Sequence, residues 1–167
     1  MQQFDNKEGG VEGGRWHTFK SENKTTFEEE FKKTIQLLIS EGHQVVLTYP
    51  IPEVGVHVPK YIFRATKGIE LSEVMENFKP LTTSSLVYKE RSASTFELFD
   101  SIQSPNLHRV YPHTLFCDKQ IKGRCVTHDN DDVFYADGHH PSAKGSEMIV
   151  KLIMEQIERA EVNIRKN

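Results

Sequence analysis

Asp137 and His140 stand three residues apart, with Gly138 between them, in the run Tyr135-Ala136-Asp137-Gly138-His139-His140-Pro141-Ser142. A carboxylate that accepts the Nδ1 hydrogen of an imidazole fixes the ring in one tautomer. It also steadies the cation formed when the far nitrogen takes a proton. Gly138 permits a tight turn that brings both side chains to one side. Pro141-Ser142 then opens a periodic helix, with Ser142 suited to its N-cap. Such a pair is half of a nucleophilic triad, Asp137 orienting and His140 acting as base. The other half, a serine at a sharp strand-to-helix turn, has no match. Ser84, Ser85, Ser92, Ser94 and Ser101 fall on or near a predicted helix, and Ser142 lies too close in sequence to His140.

The elements that must position this pair follow an α/β rhythm. Phe27, Phe31, Ile35 and Leu38 recur at helical spacing, with Thr25 or Thr26 as cap and Gly42 as stop. Glu28 to Lys32 and Glu29 to Lys33 are expected to pair on the solvent side. Val45, Val46 and Leu47 make Gln44 to Tyr49 a buried strand, and helix, turn, buried strand is the pattern of a parallel sheet. Pro50, Pro52, Gly55 and Pro59 form a loop at the strand's carboxyl end, where open α/β sheets place their sites. Leu71 to Phe78 is expected as a short helix. Thr82 to Ile102 is expected as a longer one, with Leu86, Phe96, Leu98, Phe99 and Ile102 apolar. Leu107 to Tyr111 reads as a second strand. Ile149, Leu152, Ile153, Ile157 and Ala160 make the stripe of a final helix, with Gly145 in its first turn for close packing. Residues 1–14 are expected to be a flexible lead-in, 15–162 the domain and 163–167 a frayed tail.

At 167 residues the chain is the size of one domain. Its net charge of −3 gives no footprint for nucleic acid. No apolar run approaches a membrane span, and no export signal is visible at the start. The two cysteines, Cys117 and Cys125, lie in a polar loop. That setting favours a short-loop disulfide and an oxidising compartment, while two free thiols fit the missing export signal. The acidic run Asp129 to Asp132 reads as solvated.

Taken together, these pieces resemble the SGNH hydrolase superfamily, and in particular the extracytoplasmic SGNH domain fused to membrane acyltransferase-3 proteins. That resemblance is carried by Cys117, Cys125, the extended piece Val133 to Tyr135, then Asp137, His140, Ser142 and Gly145, in that order. Pro141 stands where the family usually has leucine. Upstream, Arg15-Trp16, the helix from Thr25, the strand Val45 to Tyr49 and Pro50-Ile51-Pro52 follow the family's order, so the likeness spans roughly Arg15 to Ile157. It implies a flavodoxin-like three-layer α/β/α fold with a parallel sheet. It also implies a Ser-His-Asp triad that transfers or hydrolyses O-acyl groups, usually acetyl, on cell-surface glycans. A membrane acyltransferase-3 domain would share the polypeptide, on the periplasmic or extracytoplasmic face of the inner membrane. The family's Gly-Asp-Ser motif does not occur in this sequence. The chain is therefore expected to be the C-terminal portion of such a domain, with the N-terminal strands missing, an apolar edge left uncovered around Val45 to Leu47, and little activity alone.

Candidate substrate contacts are Trp16, Pro52 and His57. A second reading is a non-catalytic glycan-binding remnant that keeps the Pro50 to Pro59 loop and uses Trp16 as a sugar platform. No cofactor and no metal are expected. A third reading, an ion held by Asp137, His139, His140 and His128 or the cysteines, matches no zinc spacing.

Overall fold

The computed structural model describes residues 26–70, 73 and 79–164. Arg15, Trp16, most of the helix expected at Leu71 to Phe78, and residues 165–167 lie outside them.

Helix α1, Phe27–Ser40, starts where Thr26 accepts the Glu29 N–H and Glu29 reaches back to the Thr26 N–H, a reciprocal cap. That use of Glu29 changes the expected pairing: Lys33 bonds Glu30 at 2.9 Å instead. The buried stripe also differs. Phe31, Ile35 and Ile39 face the core, whereas Phe27 and Leu38 are exposed. Strand β1, Val45–Thr48, follows. Helix α2, Val58–Ala65, was not anticipated, because Pro59 reads as part of a loop. It sits in the first turn of the helix, where its missing N–H costs nothing.

The region expected as one helix from Thr82 divides. Thr82–Ser84 is strand β2, and helix α3 runs Ser85–Asp100 with the Ser84 hydroxyl capping it. Leu86, expected in the core, is exposed; Ser85, Tyr88 and Ser92 are buried instead. Strand β3 is Leu107–Val110, α4 the single turn His113–Phe116, β4 Arg124–Val126 and α5 Ala143–Ile164.

β1 and β3 pair in parallel, Val45 with Leu107 through Thr48 with Val110, so α2, β2 and α3 lie on the crossover between them. The other edge of β1 has no strand partner among the described residues. β2 and β4 form a separate antiparallel pair. Ile35, Leu47, Ile102 and Leu107 centre one core cluster. Val54, Val58, Ile62, Leu81, Tyr88, Phe116, Phe134 and Tyr135 centre the other, each contributing about 1.5–3 kcal/mol on burial.

Cys117 and Cys125 are joined in a disulfide across an antiparallel bridge, so the free-thiol alternative falls away. Closing so short a loop stabilises the fold by roughly 2–3 kcal/mol in the chain-entropy treatment. Cys125 is fully buried and belongs to the second cluster, so this staple ties β4 into the core beneath the Asp-His turn.

Gly145 meets its expectation of close packing. A Cβ built there would overlap the carbonyl oxygen of Phe134, which itself accepts the Ser142 N–H. Gly145→Ala must push α5 away from the segment around Phe134, at about 1–3 kcal/mol. A fall of several degrees in melting temperature is expected; an unchanged melt would mean the backbone yields freely here.

Candidate active site

The turn that carries Asp137 is closed by the Ala136 N–H donating to the His140 carbonyl at 2.9 Å and by a bridge between Tyr135 and Pro141. Within it, Asp137 Oδ1 accepts the N–H groups of His139 and His140, both at 2.8 Å. Oδ2 lies 2.7 Å from His140 Nδ1. The N–H of His139, then the His140 ring, then the N–H of His140 hold the Asp137 carboxyl well below the usual carboxylate range. An ionised carboxylate only accepts, so the hydrogen sits on Nδ1 and leaves Nε2 with a free lone pair. The His140 side chain is 67% exposed, and Nε2 has no hydrogen-bond partner among the described residues.

A carboxyl group whose pKa falls on folding adds stability that is complete above its unfolded value, about 4, and is lost as pH drops through the folded value. The melting-temperature gap between the native chain and Asp137→Asn is therefore expected to shrink as pH falls from about 5 toward 2. A gap that widens in acid would contradict these bonds.

The turn is locked to the loop that follows β1. Val54 N–H donates to the Gly138 carbonyl at 2.8 Å, and Val58 N–H to the Asp137 carbonyl at 3.1 Å. Gly138 is required for this approach, since a Cβ would stand 2.8 Å from the Val56 carbonyl oxygen. Buried Tyr135 donates its hydroxyl to the Pro52 carbonyl at 2.8 Å, and Tyr88 donates to the Pro50 carbonyl at 2.9 Å. The turn thus sits against the loop at the carboxyl end of a parallel strand.

Glu53, Gly55, Val56, His57, Asp137 and His139 line an open cleft of about 440 Å³. His57 therefore lines the same cleft as Asp137 and His139, exposed at the head of α2 and making no capping bond; His140 is not among the lining residues. Pro52 does not face it. The proline is fully buried, and it contributes its carbonyl as the anchor for Tyr135. Trp16 lies outside the described residues. His128 is buried apart from the turn, with Nδ1 at 2.8 Å from the Asp129 carbonyl and Nε2 accepting the Leu81 N–H, a structural arrangement. Glu53, Val56 and the two tyrosine clamps were not foreseen; Gly138 was expected for the tight turn, and its close approach to Val56 is a further role.

Among the described residues no serine hydroxyl bonds His140. Ser84 caps α3, Ser101 bonds the Leu98 carbonyl, and Ser142 donates to the Val133 carbonyl at 2.6 Å while capping α5. Ser85 and Ser92 are buried on α3.

A family model described as the SGNH domain fused to AT3 domains matches residues 5–155. The match begins ahead of Arg15 and takes in the whole Asp-His turn. Neither the comparison with curated proteins nor that with solved structures returned a match.

Proposed function

Because the chain belongs to the family of SGNH domains fused to AT3 domains, we propose that it supplies the acid-base half of an O-acyl transfer or ester-hydrolysis centre. The substrates are acylated, chiefly acetylated, cell-surface glycans. The observation that carries this reading is the 2.7 Å bond between Asp137 and His140 Nδ1, with Nε2 turned out for a proton. His140 Nε2 takes the proton of an attacking hydroxyl as that oxygen adds to the acyl carbonyl, and Asp137 balances the imidazolium. His140 then returns the proton to the departing sugar oxygen. The second half runs the same steps with water or an acceptor hydroxyl, releasing the acyl group as acid or as a new ester.

The attacking hydroxyl is a serine on a segment outside this sequence, in keeping with the absence of Gly-Asp-Ser. His57 and Trp16 contact the glycan. A membrane acyltransferase-3 domain is the partner, and an extracytoplasmic location is supported by the Cys117–Cys125 disulfide. Among the described residues no helix is long and apolar enough to cross a membrane.

The test is to supply a Gly-Asp-Ser strand segment of the family, in cis or in trans, and to follow hydrolysis of a small acetyl ester. Turnover that needs the added serine is expected. A folded, complemented domain with no turnover would overturn the proposal. Glycan binding that survives Asp137→Ala and His140→Ala would replace it with the non-catalytic reading.

A further inference from the structure

We infer that Asp137, His139 and His140 form an open three-donor site for a borderline divalent transition ion, for which zinc is the reference. Neighbouring residues in extended chain point their side chains apart. The turn cancels that divergence: the two rings stand 4.1 Å apart, centre to centre, on one side. His139 Nδ1 is 3.6 Å from Asp137 Oδ1, and His140 Nδ1 is 2.7 Å from Oδ2. One donor atom from each residue lies within 4.8 Å of the others. Small adjustments of two exposed rings bring those atoms to the roughly 2.0–2.2 Å that imidazole and carboxylate take up around zinc.

The donor set selects the ion. Two imidazoles and one carboxylate suit zinc, copper or nickel, and not the hard oxygen-seeking calcium or magnesium. Three protein ligands leave a position for water, which distinguishes this site from a closed structural one. Histidine spacing alone argued against it, because adjacent histidines share an ion only when a turn folds them together. His128 and the cysteines take no part, His128 being buried elsewhere and the cysteines bridged.

The ion competes with the hydrogen bond between Asp137 Oδ2 and His140 Nδ1 for the same atoms. An occupied site therefore has no oriented base. This consequence rests on the proposed acyl chemistry; the binding does not.

Zinc chloride titrated into the purified chain, stripped beforehand with EDTA, tests the site by calorimetry and by ¹⁵N resonances of the imidazoles. One ion per chain is expected, with shifts at His139 and His140 and none at the other six of the eight histidines. His139→Ala is expected to weaken binding by roughly tenfold to a hundredfold, at least the effect of losing an outer partner. Absence of saturable binding would overturn the site. So would binding that His139→Ala and Asp137→Asn leave intact, or shifts at other histidines. In the serine-complemented domain, zinc should stop ester turnover and EDTA restore it; an ion that binds without slowing turnover would refute the competition.

Discussion

His140→Ala is expected to lower acetyl-ester turnover of the serine-complemented domain by about four to six orders of magnitude, with KM little changed. Alanine leaves the attacking hydroxyl with no acceptor for its proton, so the nucleophile stays a weak alcohol. The His140 ring is largely exposed and, among the described residues, its one side-chain hydrogen bond is to Asp137, so the fold should survive and a melting curve will confirm that. Rates measured under saturating ester, before and after the change, decide the matter. A loss of less than tenfold would remove His140 from the chemistry.

Asp137→Asn should cost about four orders of magnitude, for a different reason. The asparagine oxygen can still accept the N–H groups of His139 and His140, so the turn keeps its shape. Its NH₂ group, however, meets His140 Nδ1 as a donor. The ring answers by placing its hydrogen on Nε2, and the nitrogen that faces the hydroxyl can no longer accept. The two residues act as a unit. The double variant should therefore be no slower than His140→Ala alone. Additive losses would show that Asp137 acts by a route other than orienting the ring.

How far the sequence reached can be argued from single residues. Thr25 or Thr26 was legible as the start of α1 because an N-cap is a local matter, and Thr26 takes that role; the return bond from Glu29 was not, Glu29 being assigned to Lys33. Val45 to Leu47 predicted β1 because a continuous apolar run suits a covered strand, although only Leu47 is buried while Val45 and Val46 are half-buried. Asp137 and His140 were legible because the turn that joins them is only three residues long. β2 and β4 were not. Three-residue strands such as Thr82–Ser84 are too short to show a period, and their pairing depends on a partner some forty residues away. Phe27 and Leu38 misled because helical spacing does not say which apolar residues the neighbouring strand will cover. The role of Pro52 was hidden because a proline carbonyl can anchor a distant tyrosine hydroxyl, and nothing in the local run announces that.

The double clamp on the loop after β1 has a bearing on engineering. With Pro50 and Pro52 pinned by Tyr88 and Tyr135, and Val56 pressed against Gly138, one wall of the cleft is a fixed jaw. The wall that faces it is the turn of Asp137, Gly138 and His139, so widening from that side would displace the Asp-His pair. Libraries aimed at a differently shaped cleft should leave the clamped backbone and the Asp-His turn alone and vary Glu53 and His57, whose exposed side chains line it.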